Sequence, residues 1–319
     1  MEGNERIRIL RSAVGSMPSW GIINELFNFK VDIIGMDSNP RSFGLYKLNK
    51  SYVVPRGDHP DYLGCIKDIV KNEMCNAILS GPEEEILCLS RNRSLFEEMN
   101  CILLMPDYEN AFICANKYKA DCFFKENGIP SPAIFTDIEL IKYPCLIKPS
   151  FGRGGSDVFQ INNKNDFQFF YEKVKDPVIQ ELIRGEEYSV DILADRKGNA
   201  LSIVPRLRIG IDSGISVKGV TVLDHEIITY CERIVKKLRL FGPSCIQCIK
   251  NPDGIFFFDI NARFGGGSIL SIKADPTIIP NLLKLIKNEE PIPSTGFTEG
   301  LMMLRYYSEV FIKEADVIR

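Results

Sequence analysis

Residues 243–267 read PSCIQCIKNPDGIFFFDINARFGGG, and this stretch constrains the fold more tightly than any other. Two apolar runs flank a turn of Asn251, Pro252, Asp253 and Gly254, so the segment should fold back as an antiparallel hairpin, with Gly254 suited to the left-handed position of a short loop. If residues 252–254 form a three-residue loop, Gln247 falls opposite Asp259, and Asp259 and Asn261, two apart, share one face. Three oxygen-bearing side chains then meet on an apolar ribbon, where they are costly unless a ligand or ion satisfies them. Such ligands suit magnesium, a hard cation whose shell is completed by water and phosphate. Arg263 and the Gly265, Gly266, Gly267 loop follow directly, and a guanidinium there can pair bidentately with a carboxylate or phosphate.

A second cluster precedes it. Lys148 ends the apolar strand CLIKP, and the glycine-rich run SFGRGGS follows at once. Such a loop bares backbone N–H groups and permits the positive φ angles needed to wrap phosphate oxygens, while the lysine adds a point charge. The lysine precedes the glycines, which separates this loop from GxxxxGK[ST]. Taken alone, it reads equally as a flexible hairpin. Farther on, the strand VIQEL runs into a polar bend. The main chain at Glu181, Leu182 and Ile183 can bind an adenine edge there, and Glu187 is spaced to reach a ribose. By itself this segment also reads as an ordinary strand–turn–strand with solvated acids.

The first hundred residues have a different texture. Strand-like runs at 7–14, 31–36, 77–80 and 102–105 alternate with helix-like stretches at 20–29, 62–72 and 83–99. That pattern implies a parallel sheet with helices on both faces. The first strand–helix turn, VGSMPSWG, lacks the GxGxxG that lets backbone amides approach a pyrophosphate. Asp37, at the end of the second strand, is a weak pointer to a ribose, and a structural α/β unit walling the active site is the preferred reading. A helical pattern over 116–127 stops at Gly128, Pro130 and Pro132 punctuate a loop, and from Pro144 strands dominate, with helices at 166–175, 225–238 and 277–287.

Composition narrows the function classes. The net charge is −3, so no basic field points to nucleic acid or an anionic membrane. No apolar run approaches the roughly 18 residues of a membrane span. The opening MEGNERIRILRSAV has no signal-peptide pattern, and ten cysteines then point to reduced thiols in the cytoplasm. Cys245 and Cys248 could be half of a zinc or redox site. On a strand, however, residues three apart face opposite ways, no second CxxC exists, and the only histidines are His59 and His225, so buried thiols are favoured.

In order and spacing, NKYKADCFFKENGIPSP, LIKPSFGRGGSDV, VIQELIRGEEYSVD and CIQCIKNPDGIFFFDINARFGGG, behind an α/β unit, resemble the ATP-grasp superfamily, and within it the carbamoyl phosphate synthetase-like ATP-grasp proteins. The resemblance spans essentially the whole chain. It implies an α/β fold that becomes α+β in the second half: a Rossmann-like pre-ATP-grasp domain over 1–112, then a two-lobed ATP-grasp domain over 113–319. The small A lobe with its glycine flap would occupy 113–180, and the B lobe with the metal site 181–319. The implied cofactors are ATP and magnesium or manganese.

The same resemblance implies roles for single residues. Lys117 and Lys148 contact ATP phosphates and serve catalysis, with Lys119 a rival for the first place. Gly152, Arg153, Gly154, Gly155 and Ser156 form the flap. Glu181, Leu182 and Ile183 form the adenine hinge, and Glu187 meets the ribose. Gln247, Asp259 and Asn261 hold the metal, the first two also within the ATP site. Arg263 braces the acyl phosphate or substrate carboxylate, and Arg206, Arg208, Lys218, Gly265 and Gly266 add to the substrate site.

The implied activity is carbon–nitrogen ligation of a small-molecule carboxylate and an amine through an acyl phosphate, with ADP and phosphate as products, and a homodimer is compatible with it. Two features depart from the family pattern: Asp259 is shorter than the usual glutamate, and Ala262 stands where proline is frequent. Neither removes an oxygen ligand. With a single ATP-grasp unit, carbamoyl phosphate synthesis is not the expected reaction. An ATP-dependent kinase releasing a phosphorylated product and a non-catalytic nucleotide-binding protein remain the alternatives.

Overall fold

The computed structural model describes residues 6–152 and 157–318. The first part is a parallel sheet of β1 (Arg8–Arg11), β2 (Asp32–Asp37), β3 (Lys50–Val53), β4 (Ala77–Leu79) and β5 (Ile102–Leu103), in the order β3-β2-β1-β4-β5. Its helices are α1 (Met17–Phe27), α2 (Gly44–Lys47), α3 (Tyr62–Glu73), α4 (Glu83–Arg91) and α5 (Arg93–Glu97). The central strands are apolar in their middles, as strands covered on both faces must be, with Ile9, Leu10, Ile33, Ile34 and Ile78 buried. α1 begins where the Ser16 side chain accepts the Ser19 N–H and Pro18 fills the first turn, and it buries Ile22, Ile23 and Leu26.

Two sequence expectations change here. The stretch 83–99 is two helices, parted at Asn92, whose side-chain amide donates to the Cys88 carbonyl at 2.8 Å and so competes with the helical ladder. β3 was not expected, because the edge segment KSYV carries no buried residue and so no apolar signal.

Helices α6 (Tyr108–Ala115) and α7 (Lys117–Glu126) lead into the second part, and the boundary expected at 112/113 falls inside α6. Asn116 caps α7 by accepting the Lys119 N–H at 2.9 Å. A four-stranded antiparallel sheet follows: β6 (Ile134–Phe135), β7 (Cys145–Pro149), β8 (Phe159–Ile161) and β9 (Pro177–Glu181), ordered β6-β9-β7-β8, with α8 (Lys164–Tyr171) against it. Its core is small and separate, built on Cys145, Ile147, Ile161, Phe167, Val174 and Ile179.

The larger antiparallel sheet contains β10 (Glu186–Ala194), β11 (Ala200–Asp212), β12 (Ile215–Thr221), β13 (Gly242–Asn251), β14 (Gly254–Asn261) and β15 (Met302–Leu304), ordered β14-β13-β10-β11-β12-β15. Helices α9 (His225–Leu238), α10 (Ser268–Ala274) and α11 (Ile278–Ile286) accompany it. α9 is capped by Asp224 and buries Ile227, Cys231, Ile234, Val235 and Leu238, a regular helical stripe. β12 and β15 went unread in the sequence, since β12 is broken by Gly219 and β15 is a short, mostly exposed edge. Among the described residues no helix is long and apolar enough to cross a membrane.

One continuous core joins the parallel sheet to the large antiparallel sheet through α6, α7 and α9. Phe257 on β14 is fully buried in it, its ring 6.3 Å from Phe124 of α7 and 5.5 Å from Tyr230 of α9. Phe257→Ala should therefore cost about 3–5 kcal/mol of stability, read as a fall in the urea midpoint at unchanged slope. A loss below about 1 kcal/mol would show that this junction is not tightly packed.

The β13–β14 hairpin turns differently from the sequence expectation. Asn251 pairs with Gly254, leaving a two-residue turn at Pro252 and Asp253 rather than three residues. A plain two-residue turn would set Gln247 opposite Phe258. Instead Cys248 pairs with Phe257 and Gln247 with Asp259, so Phe258 is an extra residue, a β-bulge. Phe257 and Ile260 both point into the core. In a regular strand Asp259 would share the core face of Phe257, and the bulge turns it the other way.

Candidate active site

The small sheet closes over the face of the large one to leave a cleft of about 580 Å³. Register alone explains much of its floor. One transverse row runs Arg206, Ser189, Gln247, Asp259 across β11, β10, β13 and β14, and the next runs Asp191, Cys245, Asn261. Ser189, Cys245, Gln247, Asp259 and Asn261 all line the cleft.

These groups already interact. Asn261 Nδ2 donates to Asp259 Oδ2 at 2.8 Å, and Arg263 NH2 donates to Asn261 Oδ1 at 2.7 Å. With its amide turned to satisfy both ends, Gln247 donates to Asp259 Oδ2 at 2.9 Å and accepts from Arg208 NH1 at 3.1 Å. Arg208 also pairs with Glu187 and donates from Nε to Ser216 Oγ at 3.1 Å.

Lys148, at the end of β7, comes from the opposite wall. It is only 6% exposed, and its Nζ donates to Gln180 Oε1 at 2.6 Å. Burial pulls its pKa down to about 8, with Asp259 pulling it upward and Lys117 adding repulsion. Lys117, the first residue of α7, also lines the cleft and donates to the Gly152 carbonyl at 2.7 Å. Lys119, two positions on, is exposed and lies outside the cleft wall. Gly152 lines the cleft, whereas Arg153, Gly154, Gly155 and Ser156 lie outside the described residues.

Glu181, Leu182 and Ile183 leave the sheet where β9 ends and line an apolar slot with Leu146, Val158, Ile249 and Phe258. Glu181 accepts the Ala133 N–H at 3.2 Å through Oε2. Gly265, Gly266 and Gly267 close the far end. A side-chain carbon at Gly265 would meet Cys245 Sγ at 2.6 Å, so this approach requires glycine.

Two expected substrate residues fall elsewhere. Arg206 starts on the cleft face but bends beneath the glycine loop. There it is 1% exposed, and its Nε donates to Asp191 Oδ2 at 2.6 Å and to Ser271 Oγ at 3.1 Å. Lys218 is exposed on β12 with its stem against Gly210. Both buried thiols of the Cys245, Cys248 pair are pushed up by desolvation and both are free, Cys245 on the cleft face and Cys248 in the core.

The sequence reading missed Glu83. It opens α4, and together with Ile86, Asn261 and Ala262 it lines a small crevice. Burial pushes its carboxyl up to about 7, Asp259 pushes it further the same way, and Arg263 and Lys117 oppose. An acidic run at a helix start is the commonest of surface patterns, so no sequence signal marked it. Ser189 could have been found, lying two residues beyond Glu187 on the same face. At the carboxyl ends of β1 and β4, where such sheets commonly bind ligands, Glu85 instead accepts from Ser80 Oγ at 2.6 Å, and Ser12 Oγ takes the Gly81 N–H. Asp37 accepts the Gly15 N–H at 2.9 Å.

Residues 114–267 match the ATP-grasp domain family, and residues 21–104 match the PylC-like N-terminal domain. The chain carries an ATP-grasp domain. The chain is 25% identical to the 3-methyl-D-ornithine–L-lysine ligase of Methanosarcina barkeri over 228 residues, 71% of this chain and 58% of that ligase, so it spans little more than half of that relative's length. The solved L-amino acid ligase of Bacillus licheniformis superposes with a TM-score of 0.69 at 17% identity, covering 88% of this chain and 74% of that one. The biotin carboxylase domain of Hydrogenobacter thermophilus 2-oxoglutarate carboxylase, solved as a dimer with MgADP, superposes with a TM-score of 0.71 at 15% identity, covering 90% and 71%. These likenesses agree with an ATP-grasp domain behind a parallel N-terminal sheet.

The cleft of the ATP-grasp domain fits a magnesium ion better than zinc. Among the described residues no three histidine, cysteine or acidic side chains cluster to hold a metal. The available donors are one carboxylate, Asp259, and the amide oxygens of Gln247 and Asn261, all on one face. That is the sparse oxygen set magnesium uses when phosphates supply further ligands.

Proposed function

We propose that this protein is an ATP- and magnesium-dependent carboxylate–amine ligase. The observation that carries the reading is the opposition of two lysines, Lys117 and Lys148, to the Gln247, Asp259, Asn261 patch across one cleft with an apolar slot at its side. Adenine enters the slot against Leu146, Ile249 and Phe258, held by the main chain of Glu181, Leu182 and Ile183, and Glu187 receives the ribose. The triphosphate then runs between the lysines and the carboxamide–carboxylate patch.

Magnesium, held by Gln247, Asp259 and Asn261, would offset phosphate charge. The two lysines offset the charge on the transferring phosphoryl group while a substrate carboxylate oxygen attacks the γ-phosphorus and ADP leaves. Arg263, tied to Asn261, orients that carboxylate. The amine nitrogen then attacks the acyl carbon, phosphate departs, and the nitrogen loses a proton. The apolar side of the cleft, at Leu146, Val158, Ile249 and Phe258, helps to exclude water from the acyl phosphate.

The test is ADP and phosphate release from purified protein with MgATP against paired libraries of carboxylic acids and amines. Release that requires both partners supports ligation. A phosphorylated product formed without an amine would establish the kinase reading instead, and ATP binding without turnover across the panel would favour a binding protein.

A further inference from the structure

A second cavity, of about 500 Å³, lies at the amino end of the parallel sheet. It opens between the last turns of α3, the start of β1 and the turn that joins α5 to β5. β1 and β4 start beside it and run in parallel away from it, and α4, which follows β4, opens with Glu83 next to Asn261. The sheet therefore stands between this cavity and the cleft, and the two share no lining residue. Its volume is that of a site for a small organic molecule.

Among the described residues four cationic side chains line it: Arg6, Arg8, Lys67 and Lys71. Arg6 is paired with Asp32 at 2.9 Å. The guanidinium of Arg8 meets only the Glu73 carbonyl, from NH1 at 3.3 Å. The Glu73 carboxylate is itself taken by Lys50 at 2.7 Å and by the Tyr52 hydroxyl. Among the described residues Arg8, Lys67 and Lys71 have no ion-pair partner. Lys67 and Lys71 stand one turn apart on α3, a spacing at which like charges destabilise a helix.

The wall between these charges is apolar. Val70 and Cys75 are buried and Met99 is half-buried, whereas Met74 is 65% exposed. Met74 takes the left-handed conformation, φ 51°, that caps α3, a place usually given to glycine or asparagine. So exposed a side chain adds little to the core, yet it extends the apolar wall of the cavity. Burial pushes the Cys75 thiol up to about 12, so it is a neutral part of that wall and not a nucleophile.

We propose that this cavity binds a small aromatic molecule carrying a phosphate group. Three cations without acidic partners call for a dianion, which a phosphate monoester is near neutral pH and a carboxylate is not. Lysines hold phosphate as point charges, and the arginine adds a planar fork. Two methionine thioethers favour an aromatic ring over an aliphatic chain, because sulfur packs well at ring edges. The site stands apart from the ATP-grasp cleft and does not depend on the ligase reading.

Calorimetric titration of the full chain with phenyl phosphate, at about pH 7.5, tests this. The wild type should bind phenyl phosphate about tenfold or more tightly than inorganic phosphate, which lacks the ring, and than benzoate, which lacks the second charge. The double variant Lys67→Gln/Lys71→Gln, at exposed positions, should weaken phenyl phosphate by about tenfold or more, while Lys148→Met in the cleft should leave its Kd unchanged. Met74→Asn, which suits a left-handed cap, should reduce the advantage of phenyl phosphate over inorganic phosphate by about threefold. No binding, binding that inorganic phosphate or benzoate equals, or an affinity that survives the lysine double variant overturns the site. An affinity lost in Lys148→Met places the probe in the cleft and overturns it as well. An advantage untouched by Met74→Asn overturns the aromatic assignment.

Discussion

Asp259→Ala should eliminate magnesium-dependent ADP formation, with a loss of about a thousandfold or more. Asp259 is the one carboxylate in the patch formed with Gln247 and Asn261, and both of those amides hydrogen-bond to it. Removing it takes away the anionic donor of that patch. It also strips Lys148 of the nearby charge that opposes its desolvation. The side chain faces the cleft rather than the core, so the fold should survive, and an unchanged Tm would verify that. Asp259→Glu keeps the charge and should retain activity. ADP release from Asp259→Ala at the wild-type rate, with the same magnesium dependence, would remove the metal assignment altogether.

The second large effect concerns Lys148. Lys148→Met should weaken ATP binding by about 10- to 100-fold at pH 7, the scale of a charge-assisted contact. It should also change the shape of the pH dependence. In the free protein, burial has drawn the Lys148 pKa from 10.5 down to about 8, and a bound triphosphate would hold its proton. Below that value the lysine is charged before ATP arrives. Above it a proton must be taken up on binding, so Kd should rise by up to tenfold per pH unit.

The sign for folding is opposite to that for binding. The folded chain holds fewer protons than the unfolded one between about 8 and 10.5, so the burial penalty of this group fades as pH rises through that window. Calorimetric titration of ATP across pH 7–9.5 would read the binding slope. A Kd that stays flat in the wild type, or a slope that persists in Lys148→Met, would show that Lys148 is not the group that meets the phosphates.

Much of this was legible from short-range signals. Apolar runs predicted β7 and β14 at their observed bounds and α9 at its observed ends, because each buries one face, β7 in the small separate core and β14 and α9 in the large continuous one. The glycines after Arg263 announced a close backbone approach, which depends on residue type more than on context. Lys117 and Lys119, in contrast, differ only in which side of α7 they occupy, and packing of α7 against β14 of the large sheet decided that. Arg206 and Arg208 share a strand face, yet the glycine loop covers one and leaves the other in the cleft. Glu83 reaches Asn261 across a long sequence separation that no local pattern encodes.

The hairpin separates the two kinds of information most clearly. The chain by itself determined that two apolar strands would meet around Asn251, Pro252, Asp253 and Gly254, and that Gln247, Asp259 and Asn261 would ride on them. Which face those groups took was decided only in three dimensions. The tight turn would have sent Asp259 into the core beside Phe257, and the extra residue Phe258 reverses the alternation from that point on. Burying Phe257 against α7 and α9, and Ile260 beside α4 and α6, is favourable, burying an unpaired carboxylate is not, and a bulge satisfies both demands at once.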